Sequence, residues 1–154
     1  MYRNKYIITA VVSLATLLAV LNFFAFQYFW YWRFAYFDLG MHFLGGLLIG
    51  FISVIIYTAW RPDSLIFRQL AVMAVAVVLV AGGFWEIFEF SIDTYWAAHV
   101  NIKSFQVLQS GLTDTLSDLL FDAIGGLTAA VLINRFYYHR KFLSHQISYE
   151  KGNQ

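Results

Sequence analysis

The chain has 154 residues, 60% of them hydrophobic and only 12% charged, with one proline and no cysteine. A soluble domain carries about twice that share of charge, so a soluble fold is excluded, and a net charge of +1 leaves no case for nucleic acid. Disulfides, thiolate metal sites and a cysteine nucleophile are excluded with the missing cysteines. Four long apolar runs point to an all-α integral membrane four-helix bundle, a single transmembrane domain spanning residues 1–154.

Arg3 and Lys5 precede the first run, residues 6–26, which only Thr9, Ser13, Thr16 and Asn22 interrupt. A signal peptide has the same charged start, but the long apolar core and the lack of a small-residue cleavage site favour a retained span. With no charge and no glycine, this span is expected on the outside of the bundle. Residues 27–37 then gather Tyr28, Phe29, Trp30, Tyr31, Trp32, Phe34, Tyr36 and Phe37 around Arg33. This is an aromatic belt, expected to anchor in lipid, with a short flat-lying helix as one form it can take.

The second span covers about 39–59, with Asp38 and His42 four apart at its head. The third covers about 68–90, with Glu86 and Glu89 three apart at its tail. Residues 91–111 mix polar and aromatic side chains, among them Tyr95, Trp96, His99, Lys103 and Phe105, and are expected to form an interfacial or re-entrant segment. The fourth span, about 113–134, opens with Asp114, Asp118 and Asp122. Residues 135–154 form a basic, aromatic tail suited to an anionic lipid surface. No internal repeat, P-loop, GxGxxG, HExxH or GxSxG motif is present.

Four spans put both termini on one side. Arg3, Lys5, Arg61, Arg68, Arg135, Arg140, Lys141 and Lys151 then share that side, against Arg33 and Lys103 on the other. The positive-inside rule places both termini in the cytoplasm and the protein in the cell (inner) membrane. The acids did not enter that choice, yet it carries Asp38, His42, Glu86, Glu89, Asp114, Asp118 and Asp122 to the outer end of three spans. Steps of four residues keep Asp114, Asp118 and Asp122 on one helix face. Asp118 and Asp122 lie roughly 6 and 12 Å deeper than Asp114, where an unpartnered charge costs about 2.5–3.5 kcal/mol. The doublets Gly45-Gly46, Gly82-Gly83 and Gly125-Gly126, and the pair Gly46 and Gly50, lie about one turn below the acids and are expected to let the helices approach closely.

The expectation is a tight waist beneath an outward-opening polar cup. No arginine or lysine within the spans neutralises it, although Arg33 and Lys103 stand near its rim. Either some carboxyls are protonated or a cation is bound. Carboxylates with one imidazole suit magnesium, manganese or calcium, and leave zinc or iron open. His42, Glu86, Asp118 and Asp122 are the expected metal ligands, Asp38 is a further candidate, and Glu89 or Asp114 is the expected proton carrier. Thr115 and Ser117 are candidate supporting hydroxyls. The simpler readings are a His42–Asp38 hydrogen bond at a helix head, solvated Glu86 and Glu89 beside Trp85, and Asp114 as a first-turn acid.

Asp38-Leu-Gly-Met-His42-Phe43, Glu86 and Asp118-Leu-Leu-Phe-Asp122-Ala-Ile-Gly125 resemble the VanZ-like superfamily of small membrane proteins, especially its YjdF-type branch, over about residues 35–130. The lysine that often follows the first Asp is Leu39 here, the Asn of the common pattern is Asp122, and the arginine before the last Asp pair is missing, with Thr113 nearby. The resemblance implies a membrane-embedded polar site and, for some members, a link to glycopeptide resistance; it implies no agreed reaction. Three functions stay open. The first is a metal-dependent intramembrane enzyme on a lipid or lipid-linked envelope substrate, the second a proton- or cation-coupled transporter, the third a non-catalytic scaffold. Membrane lipids are the expected partners, and a homo-oligomer fits any of the three.

Overall fold

The computed structural model describes residues 3–60, 66–99 and 111–152, with side chains described from Ile8 to Phe136 apart from 58 and 96–98. Its elements are α1 (Arg3–Tyr28), α2 (Trp30–Arg33), α3 (Phe37–Trp60), α4 (Phe67–His99) and α5 (Leu112–Gly152). Four of them are long and apolar enough to cross a membrane, over Ile8–Tyr28, Phe37–Tyr57, Phe67–Tyr95 and Leu112–Phe136. The expected all-α membrane bundle is therefore present. Large apolar side chains such as Phe23, Val72, Val80, Phe84 and Ile87 point outward, as they must where the solvent is hydrocarbon.

The bundle proper is α3, α4 and α5, with α3 and α5 the most extensively packed pair. Each contributes a buried stripe at helical spacing: His42, Gly46, Gly50 and Val54 on α3; Leu70, Ala74, Val78, Gly82 and Glu86 on α4; Asp118, Asp122, Gly125, Ala129 and Ile133 on α5. Steps of three and four fall on one helix face, so each stripe is the seam of its helix. Along every seam the chemistry runs in the same order, from ionisable groups through glycine to aliphatic residues. α3 and α5 run parallel and α4 antiparallel, so the ionisable ends of all three seams coincide. At the opposite end Val54, Leu70, Ala74, Ala130 and Ile133 form an aliphatic core, tied across α3 and α4 by Tyr57 Oη–H donating to Gln69 Oε1 at 2.9 Å.

Between these ends the helices touch through backbone. A Cβ on Gly46 would strike the Asp122 main chain, and one on Gly125 the main chain at Phe43 and Leu47. A Cβ on Gly50 would lie 2.8 Å from Ala129 Cβ and 2.9 Å from Gly126 Cα. The waist is thus real at these positions and at Gly82, whose Cβ would meet the Asp122 carboxylate. Gly45 and Gly83 differ from the expectation, since a Cβ on either meets nothing within 4 Å.

α1 lies outside, as expected, packing on α3 and α2. Only 6% of its most apolar stretch is buried, against 28–39% for the other three. Phe29 ends it in the left-handed region, φ 59°, uncommon for a residue with a side chain, and the chain turns there into α2. The aromatic belt contains that single helical turn, and its rings lock together: Tyr31 lies 5.1 Å from Phe37 and 5.3 Å from Phe26 by ring centroids.

Two boundaries differ from the expectation. Ser91–His99 continue α4 as helix and form no separate segment, while residues 100–110 lie outside those described. α5 likewise runs on through the basic tail to Gly152. In both cases polar residues mark where apolar pattern stops, but they do not break a helix.

Gly46→Leu should lower the melting temperature sharply or prevent isolation of folded protein, because overpacking against backbone costs about 1–3 kcal/mol or more. Gly83→Leu should melt as the wild type does. Equal melting of the two variants by intrinsic fluorescence in detergent would contradict the packing described.

Candidate functional site

All seven ionisable residues singled out in the sequence come together at one end of the α3–α4–α5 seam. Asp38 and His42 come from the first turns of α3, Glu86 and Glu89 from α4, and Asp114, Asp118 and Asp122 from α5. His42, Glu86, Glu89, Asp118 and Asp122 are buried, with Asp118 only 1% exposed. Asp38 and Asp114 are half-buried, toward the rim.

The imidazole of His42 sits at the centre. Its Nδ1 lies 3.3 Å from Asp122 Oδ2. Its Nε2 faces the other way, 3.8 Å from both Asp38 Oδ1 and Glu86 Oε1. Those separations exceed a hydrogen bond, and Nε2 is buried without a hydrogen-bond partner, as is Asp118 Oδ1. The Nδ1 side of the ring thus faces Asp122, and the Nε2 side faces Asp38 and Glu86.

Asp122 is held from its other side by α4. Its carboxylate lies against Gly82, where any side chain would displace it. Glu89 has its own partner, since Trp85 Nε1–H donates to Glu89 Oε1 at 2.8 Å. The Ser117 hydroxyl does not reach the cluster; it donates to the Thr113 carbonyl of its own helix at 2.9 Å. Among the described residues Arg33 is exposed and makes no ion pair with these carboxylates, and Lys103 lies outside them.

Ligand-type atoms converge in three overlapping triads, each with its atoms within 4.8 Å of one another: Asp38, His42 and Glu89; His42, Glu86 and Asp118; and Asp38, Asp114 and Asp118. These buried acid and imidazole groups are therefore a donor set that a metal ion could use. Asp122, expected as a ligand, stands apart from these triads and orients the imidazole.

Beside the cluster lies a cavity of about 280 Å3 bounded mainly by α1, α3 and α4, with Tyr31 of α2 and Asp122 of α5 at its lining. Its polar end includes two residues that the sequence reading did not place there. Tyr31, taken as part of a lipid belt, turns inward and its Oη–H donates to Asn22 Oδ1 at 2.9 Å. Burial, then the charges of Asp38 and Glu89, raise the Tyr31 phenol above its ordinary value and keep it a neutral donor. Asn22 is the only amide in the first span, which was the one available signal that this helix faces something polar.

Fold and site together define a multi-pass helical membrane protein with a buried carboxylate–imidazole cluster at one end. The chain belongs to the family described as "Predicted membrane protein (DUF2238)", which matches residues 3–140. No curated protein and no solved structure matches the chain.

His42→Ala should destabilise the protein by about 3–5 kcal/mol, the usual cost of stranding buried charges. His99→Ala, at an exposed site near the end of α4, should stay within about 0.5 kcal/mol of wild type. Thermal unfolding of both variants checks this, and similar losses would mean that His42 is not the hub of the cluster.

Proposed function

We propose that the protein is a membrane-embedded divalent-cation protein, working as a metal-dependent enzyme on a lipid or lipid-linked envelope molecule. The observation that carries this reading is the buried His42 Nε2, without a hydrogen bond and 3.8 Å from two carboxylates on different helices. Bonds of about 2.1 Å put neighbouring ligands of an octahedral ion roughly 3.0 Å apart, and bonds of about 2.4 Å put them roughly 3.4 Å apart. His42 Nε2 thus needs to draw closer to each of these two oxygens by only about 0.4–0.8 Å. His42, Glu86 and Asp118 are the ligands, and Asp38 adds an oxygen from the rim. Magnesium, manganese and calcium fit this oxygen-rich set best, with zinc next. Asp122 plays the carboxylate partner that fixes the tautomer of a metal-bound histidine.

A cation in this place would polarise a water or an ester oxygen, and Glu89 or Asp114 would carry the proton. The bias of basic residues supports a site at the outer face of the inner membrane, with cytoplasmic termini, next to envelope lipid headgroups. The VanZ-like resemblance of the Asp38–His42, Glu86 and Asp118–Asp122 motifs belongs to the same reading. Coupled transport is the weaker alternative, because backbone contact at Gly46, Gly50, Gly125 and Gly126 leaves the seam below the cluster closed and apolar.

Purified protein should bind Mn2+ and gain thermal stability from it, and EDTA should reverse the gain. Asp118→Asn should abolish binding, and Asp122→Asn should weaken it about 10–100-fold, the usual effect of losing a ligand's supporting carboxylate. Affinity should fall as pH is lowered, because protons compete for every ligand. No thermal shift with manganese, magnesium, calcium or zinc, and none with EDTA, would remove this reading and leave a scaffold of mutually bonded acids.

A further inference from the structure

Cation binding does not account for the cavity beside the cluster. It is a groove with α3 as its floor and with α1 and α4 as its walls. Its 280 Å3 is near the lower end of small-ligand pockets, about 300–1,000 Å3. Its character changes along its length. Asn22, Tyr31, Asp38 and His42 line one end, and Leu18, Ile49 and Val78 line the other. Asp38 and Ile49 are roughly 16 Å apart along the α3 axis, so the groove is long and narrow, polar at one end and apolar at the other.

Two features keep it open. Gly45 is in its floor, and a Cβ there would meet nothing within 4 Å. Helix packing therefore does not require glycine at 45 as it does at 46; a larger residue would fill the groove. In addition, α1 packs on α3 and α2 with no comparable contact to α4 among the described residues. The slot between its walls thus faces the surrounding hydrocarbon.

We infer that the groove holds one hydrocarbon chain of a membrane amphiphile, whose ammonium-bearing head sits at the Asp38–Asn22 end. The bilayer supplies such a chain sideways, and the gradient from acid to aliphatic matches a head and a tail. Two carboxylates, Asp38 and Asp122, line the groove, and no lysine or arginine does. The complementary head is therefore a cation and a hydrogen-bond donor. The chain assignment stands on the groove alone; its role as substrate rests on the cation-site reading above.

The test is photo-crosslinking of the full chain, reconstituted in nanodiscs, with a dodecylamine carrying a terminal diazirine. The same chain with a phosphate or hydroxyl head is run in parallel, and labelled residues are mapped by peptide mass spectrometry. Labelling of Leu18, Ile49 and Val78 should exceed that of the outward-facing Val72 and Val80 several-fold. It should fall to that background in Gly45→Leu and in Ala81→Leu, which fill the groove from its floor and from one wall. Equal labelling of groove and outer surface in all three proteins would overturn the inference, and stronger groove labelling by the phosphate head would overturn the choice of head. Mn2+ titration of the same wild-type preparation separates the two readings. Groove labelling without Mn2+ binding removes the cation site and leaves the chain, and Mn2+ binding without groove labelling does the reverse.

Discussion

Hydrocarbon offers a carboxylate neither water nor a hydrogen-bond donor, and the arrangement of α3, α4 and α5 follows from that one constraint. Glu86, Asp118 and Asp122 lie on helices whose outer faces are leucine, isoleucine, valine and phenylalanine. Their only acceptable place is the seam between helices, where His42 and one another are within reach. Glycines at 46, 50, 125 and 126 let the backbones of α3 and α5 meet just below. The same closeness that packs the waist brings the acidic ends of the seams together.

A cluster built this way holds more acidic groups than one imidazole can pair with. The half of His42 that bonds Asp122 is settled, and the half that faces Asp38 and Glu86 is not. In a self-contained network every buried polar atom finds a partner, whereas His42 Nε2 and Asp118 Oδ1 have no hydrogen bond here. It also gives Gly82 a function outside helix packing, since it leaves room for the Asp122 carboxylate to stand behind the imidazole. α1 and α2 add a different element. They take no part in the seam, yet through Asn22, Tyr31 and Leu18 they turn one side of it into a groove with a polar mouth.

Much of this was legible in the chain itself. Period-four spacing of Asp114, Asp118 and Asp122, together with the cost of burying them, pointed to a shared pocket, and the distribution of basic residues carried Asp38, His42, Glu86 and Glu89 to the same end. Other features were not legible. The continuation of α4 through Ser91–His99 was hidden because polar residues end an apolar run without ending a helix. The inward turn of Tyr31 depends on the left-handed Phe29 and on ring packing with Phe26 and Phe37, which no spacing encodes. Gly45 and Gly46 look alike as letters, but only the three-dimensional neighbours show one touching backbone and the other opening onto a cavity. The position of Asp122 was hidden for a similar reason: sequence puts it on the right face, but not on the Nδ1 side of the ring.

The most direct measurement is anomalous diffraction from crystals of the protein grown with Mn2+. A peak in contact with His42 Nε2, Glu86 and Asp118, with Asp122 still on Nδ1, is the expected result. A protein whose crystals bind Mn2+ only at exposed carboxylates, or whose three acidic helix ends prove to be separated from one another, would contradict the account at its root.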